Sequence, residues 1–161
     1  MTSPASERRR VQALIEQAGI AMLTTIAEHA APIARPMLPL FLENDPCLYF
    51  LTHQSSRKVS HITARPRVSL TMISHGCYLV VTGTATTSRE QALIQRLWQP
   101  TYRAWFPDGK GDREATVLRV TVGRVDYWEP PRSRVIRLAQ ALKALVTRRA
   151  VETPMKTITD W

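Results

Sequence analysis

Apolar positions at Val11, Leu14, Ile15 and Ala18 recur at helical spacing, with Arg8, Arg9 and Arg10 opposite. They predict an amphipathic helix over Ser6–Ala18, ended by Gly19. Ile20–Ala27, rich in Leu, Thr and Ile and followed by a polar turn at Glu28 and His29, reads as a strand. Pro32–Leu42 reads as a second strand, but Pro36 and Pro39 remove two ladder donors. Such a strand belongs at an edge, is irregular, or borders a site. Asn44-Asp45-Pro46 is a turn, and Cys47–Thr52 a third strand.

Ser55–Ala64 reads as a short helix, opened by Ser55 or Ser56 and stopped by Pro66. Val68–Ile73 and Tyr78–Thr87 follow as strands, split by a His75-Gly76 turn. Ser88 with Gln91 three residues on predicts a capping box opening a helix through about Trp98. Trp105–Gly111 is a loop carrying two large aromatics. Thr116–Val122 and Arg124–Trp128 are strands joined by a tight turn or a bulge at Gly123. Arg132–Arg149 reads as a second amphipathic helix, and the tail over 151–161 as loose. Short strands joined by turns, with helices inserted rather than alternating, disfavour a doubly wound parallel sheet and favour an antiparallel barrel or sandwich with peripheral helices.

The chain has 161 residues, a length that suits one domain, here 1–150, and 44% of them are hydrophobic, which excludes wholesale disorder. The formal net charge is +9, which points to an anionic partner: nucleic acid, a phosphate-bearing ligand or a membrane surface. Six of the positive charges lie in the acid-free stretch 132–149. Cys47 and Cys77 have no zinc spacing and read as buried small hydrophobes. The N-terminus mimics a signal peptide, but Glu16 and Gln17 interrupt its apolar stretch, so a cytoplasmic protein is expected.

Charge position matters more than charge total. Thr52-His53-Gln54-Ser55-Ser56-Arg57-Lys58 runs from a strand into a helix start, where free N–H groups attract anions and Arg57 and Lys58 add charge. The plainer alternative is a capped helix with two solvated cations. Arg35, inside a strand, needs an anion or exposure, and Pro36 after it marks backbone that leaves the ladder. Trp98, Tyr102 and Trp105 lie at helical spacing, while Trp105-Phe106 in a Pro/Gly loop suits stacking or an interface. The four histidines show no metal spacing, and Walker, dinucleotide and serine-hydrolase patterns are absent.

Together the segments Ile20–Thr25, Ala34-Arg35-Pro36-Met37, Tyr49–Thr52 through Val59, Pro66–Leu70, Val81–Ala85, Leu97-Trp98 through Gly109 and Val125–Trp128 resemble the FMN-binding split-barrel superfamily of pyridoxamine 5'-phosphate oxidase, in its general stress protein 26-like branch. The resemblance spans roughly residues 8–147. It implies a mainly β (α+β) fold, a six-stranded antiparallel split barrel with peripheral helices, forming a homodimer with FMN at the subunit interface. By position it implies that Arg57 and Lys58, preceded by Ser56, hold the FMN phosphate, and that Arg35 also reaches FMN. Pro36 and Met37 would border the isoalloxazine, with Thr52 beneath it. Trp105 and Phe106 would approach the flavin across the dimer, and Trp128 would lie near it.

The departures are specific. The oxidase's lysine that helps bind pyridoxal phosphate is replaced here at about Leu40, and its C-terminal Arg-x-His motif by Arg134-Val135-Ile136. The resemblance therefore implies an FMN-dependent oxidoreductase or flavin reductase using NAD(P)H or a small substrate, and not a true pyridoxamine phosphate oxidase. Alternatives are a non-catalytic flavin-binding stress protein, a deazaflavin or haem tenant of the same fold, and, from the 132–149 stretch, a nucleic-acid or membrane-surface binder. The residues name no general acid or base.

Overall fold

A computed structural model of the chain describes residues 4–43, 45–129 and 155–159. The elements are α1 (Pro4–Ala18), β1 (Ala21–Ile26), β2 (Pro32–Met37), β3 (Leu48–His53), α2 (Arg57–Ala64), β4 (Arg67–Ser74), β5 (Cys77–Ser88), α3 (Gln91–Leu97), β6 (Ala115–Trp128) and β7 (Met155–Ile158). Six strands pair in the order β2-β1-β4-β5-β6-β3, every pair antiparallel. Past β2 the chain meets β3 through a bridge between Leu40 and Tyr49, whose two N–H···O bonds measure 2.8 and 2.9 Å. The sheet thus curls back on itself as a split barrel with helices outside, the expected α+β architecture.

Alternation decides which side chains fill the barrel. Leu23 on β1, Leu70 on β4, Leu79 and Val81 on β5 and Phe50 on β3 are fully buried together with Val11 and Ile15 of α1. Each such Leu or Phe contributes about 1.5–3 kcal/mol of transfer free energy. β3 is buried along five consecutive positions because both its faces are covered. Leu48 and Phe50 face the barrel, while Tyr49 and Leu51 join a second core with Ile94 and Leu97 of α3, Tyr102 and Phe106.

The two strands expected around Gly123 are one, β6, with the bulge there. Thr82 pairs with Arg124 and Gly83 with Val122, which leaves Gly123 as the extra residue. Inward residues are Leu118, Val120 and Val122 before it and Val125 and Tyr127 after it. The bulge switches the parity so that both halves point their apolar residues inward. Opposite it Gly83 is obligatory, since a Cβ there would lie 2.2 Å from the Thr121 carbonyl oxygen.

Two further expectations change. The capping box at Ser88 does not form: Ser88 ends β5, its hydroxyl accepts from the Glu90 N–H at 3.2 Å, and Glu90 precedes α3 without a side-chain cap. The tail expected to be loose contributes β7, which pairs with β6 and buries Ile158. There Lys156 and Arg10 of α1 both pair with Glu129, and the Tyr127 hydroxyl donates to Glu7, so α1 and β7 are tied to the same end of β6. The helix expected over Arg132–Arg149 and the Arg134-Val135-Ile136 segment lie outside the described residues. Among the described residues no helix is long and apolar enough to cross a membrane. Both cysteines are buried, and neither forms a disulfide among the described residues.

Candidate functional site

β2 is the edge strand that its prolines demand. Pro36 still pairs with Met22, but beyond Met37 the chain leaves β1. That departure opens a cleft of about 520 Å³ between the end of β2, the end of β3, the start of α2 and a 3-10 helix over Pro100–Ala104. The volume lies within the range of small-molecule sites, roughly 300–1,000 Å³. Leu51, Thr52, Tyr102 and Phe106 are its buried lining, and Ile20, Pro36, Leu38, Thr101 and Trp105 its exposed lining; Met37, His53 and Lys58 complete it. Among the described residues no carboxylate lines it.

One part of the cleft is cationic. Lys58, in the first turn of α2, donates from Nζ to the buried Thr52 Oγ1 at 2.9 Å. Its pKa is lowered by burial and, after that, by Arg35. Arg35 donates from Nη1 to the Leu23 carbonyl at 3.0 Å. Its own pKa is lowered by burial and then by Arg57. Three cations therefore repel one another at the N-terminus of α2, where free helical N–H groups add positive potential. Among the described residues no acid pairs with them. Ser56 holds the N-cap position, yet its hydroxyl makes no cap bond, and its buried Oγ has no hydrogen-bond partner. A concentrated positive potential beside an unpartnered buried hydroxyl fits an anion with several acceptor oxygens.

The other part is aromatic. Phe106 stacks on His53 with ring centroids 4.5 Å apart and an interplanar angle of 24°. Trp98 packs against both Tyr102 and Phe106 at 5.9 and 6.0 Å. Trp105 is left 60% exposed.

Of the ten residues expected at a binding site, six line the cleft: Pro36, Met37, Thr52, Lys58, Trp105 and Phe106. Arg35, Ser56 and Arg57 stand at its cationic end, Arg35 acting on Lys58 and Arg57 on Arg35. Trp128 is not brought there. It ends β6 between Tyr78 and Met155, eight residues past Val120, where the pairing of β6 with β3 stops. Phe106 is a core residue, 2% exposed, and the aromatic segment borders the cleft of its own chain. Sequence reasoning missed Ile20, Leu38, Leu51, Thr101 and Tyr102 as lining. Tyr102 alone had a usable signal, its helical spacing from Trp98, and that spacing spoke for core packing.

A model of the family described as pyridoxamine 5'-phosphate oxidase like matches residues 6–152. The chain belongs to that family. Solved structures share its fold. General stress protein 26 from Jannaschia sp. CCS1 is 19% identical, with a TM-score of 0.73, covering 96% of this chain and 99% of its own. A general stress family protein from Xanthomonas campestris is 21% identical, with a TM-score of 0.72, covering 83% and 93%. The general stress FMN/FAD binding protein from Xanthomonas citri is 22% identical, with a TM-score of 0.68, covering 78% and 90%. No curated protein matches the chain. Leu40, close to where the oxidase's lysine is expected to fall, is 7% exposed and occupied with the barrel-closing bridge to Tyr49.

Proposed function

We propose that this member of the oxidase-like family is a flavoprotein that binds flavin mononucleotide in the cleft. The observation that carries this reading is the meeting of Arg35, Arg57 and Lys58 with the unpartnered Ser56 hydroxyl beside an apolar cleft without a carboxylate. A phosphate monoester carries about −1.5 to −2 charges near neutral pH and three acceptor oxygens. Arg57 offers a bidentate fork, Lys58 and Arg35 point charge, Ser56 a hydroxyl donor and the start of α2 its N–H groups. Pro36, Met37, Leu51 and Phe106 suit the flat ring system. Past Met37 the backbone is free of the β1 ladder to bond polar ring atoms. The flavin supplies the redox chemistry; these residues bind it, orient it and exclude water from part of its surface. The name of the Xanthomonas citri relative, with its FMN/FAD binding, supports the same reading.

The finer reading is an FMN-dependent oxidoreductase. Trp105, Ile20 and Leu38 leave one side of the cleft exposed, so a reductant such as NAD(P)H could approach. A vitamin B6 substrate is disfavoured, because Leu40 offers no cation where the oxidase has its lysine. A homodimer belongs to this reading too: Met22, Ile73 and Tyr78 are exposed apolar side chains on one outer face of β1, β4 and β5. In the test, the Arg57→Ala/Lys58→Ala double variant loses FMN while keeping the wild-type circular dichroism spectrum. FMN retained by that variant refutes the assignment. Anaerobic mixing with NADH or NADPH then bleaches the flavin at a catalytic rate; no bleaching with either reduces the proposal to flavin binding without turnover. Sedimentation equilibrium reads the dimer.

A further inference from the structure

The flavin reading uses the cationic end and the buried lining of the cleft; the exposed aromatic side has features of its own. Trp105 is 60% exposed, Ile20 53% and Leu38 37%, and all three line the same opening. Apolar side chains grouped around a pocket mark a binding surface more often than isolated ones do. Beneath them lies Tyr102, only 6% exposed, whose hydroxyl has no hydrogen-bond partner. The rings packed against it offer no acceptor for its proton: Trp98, at 5.9 Å between ring centroids, and Trp105, at 6.3 Å, carry only N–H donors, and Phe106, which also lines the cleft, carries neither donor nor acceptor. Burial raises the Tyr102 pKa, so the phenol stays protonated and remains a donor. An unpaired buried donor is costly and is uncommon without a use.

We propose that the opening of the cleft is a second subsite, taking a planar, uncharged aromatic compound with one hydrogen-bond acceptor, which lies against Trp105, Ile20 and Leu38 and receives the Tyr102 hydroxyl. An uncharged compound fits because the cations, Arg35, Arg57 and Lys58, stand at the other end, and Trp105, Ile20 and Leu38 offer apolar contact and no ionic partner. It carries an acceptor because the waiting group is a donor. This inference rests on the flavin reading, since the compound would face the flavin bound deeper in the cleft.

Quinoline and naphthalene have the same size and shape and differ by one ring nitrogen acceptor. Equilibrium dialysis of the full-length chain, with and without saturating FMN, against each compound at pH 8 tests the subsite. Quinoline binds the FMN-saturated wild type, Tyr102→Phe weakens it about threefold to tenfold, and naphthalene changes less than about twofold. Trp105→Ala weakens both. The subsite is refuted if quinoline does not bind, if Tyr102→Phe affects both compounds equally, or if quinoline expels FMN one for one. The last result would mean that the acceptor belongs to the flavin itself, as would an equal loss of FMN affinity in Tyr102→Phe. FMN titrated into the same proteins without quinoline reports separately: a wild type that takes quinoline by this pattern but no FMN removes the flavin reading and leaves the subsite.

Discussion

Replacing Arg57 by alanine separates a phosphate site from a pair of solvated surface cations. In the free protein the Arg57 charge acts against Arg35, which burial already disfavours, and Arg57 itself is exposed. Its removal relieves repulsion and breaks no contact that holds the barrel, so the unliganded melting midpoint should hold or rise slightly, within about 0.5 kcal/mol. The bound state responds in the opposite direction. A hydrogen bond to a charged group is worth about 1.5–3 kcal/mol, or roughly 10- to 150-fold in Kd. Exposure and salt screening place Arg57 toward the lower end, about tenfold. Riboflavin has the same ring without the phosphate and serves as the internal control. Quenching of flavin fluorescence, titrated at two salt concentrations, should show FMN affinity falling about tenfold in Arg57→Ala while riboflavin affinity stays constant. The salt dependence for FMN should also become shallower. Equal losses for FMN and riboflavin, or an unchanged FMN affinity, would refute the phosphate assignment.

Three further outcomes follow from the geometry. Lys58 sits below its ordinary value of 10.5 in the free protein, and a bound dianion would raise it again. FMN binding should therefore take up a proton at alkaline pH, and affinity should fall as pH rises through the lowered value, a dependence that Lys58→Met flattens in the same titration. Gly83→Ala should destabilise by about 1–3 kcal/mol or more, read by urea unfolding, because its Cβ would meet the Thr121 carbonyl oxygen at 2.2 Å. Tyr49→Phe should weaken the barrel closure. The Tyr49 hydroxyl donates to Asp45 Oδ2 at 2.5 Å and is the largest cause holding the Asp45 pKa below 3.8. That carboxylate contributes stability in full above its unfolded pKa, and the contribution is lost as pH falls through the depressed folded value. The variant should thus lose about 1–2 kcal/mol at pH 7 and show a shallower loss on acidification, measured by urea unfolding across pH 7 to 2.

Much of this barrel is legible in the chain because its signals are local. The change of apolar parity from Leu118-Val120-Val122 to Val125-Tyr127 across Gly123 announces a bulge, since only an extra residue keeps both sets inward. Pro36 and Pro39 mark β2 as an edge and mark where it leaves the sheet, which is where the cleft opens. That Arg35, Arg57 and Lys58 act together was readable because cations in a strand and at a helix start need a partner or exposure. Other features depend on tertiary pairing. The capping pattern at Ser88 is real as a pattern, but β5 continues through Ser88 because β6 pairs with it there through Val117. The strand at Met155–Ile158 has no turn chemistry that announces it, and its partner edge on β6 is free only because β3 stops pairing at Val120. Tyr102 and Phe106 share an aromatic run; only the second core, under α3, decides that Phe106 is inside and Trp105 outside.

The central claim is that the cationic end and the apolar cleft together hold a flavin mononucleotide. The absorbance spectrum of the protein as purified, followed by mass identification of the ligand released on denaturation, tests it most directly. The account predicts a yellow protein with bands near about 375 and 450 nm and a released ligand with the mass of FMN. A colourless protein that takes up no FMN on titration, or one that releases a haem or a deazaflavin, would contradict it.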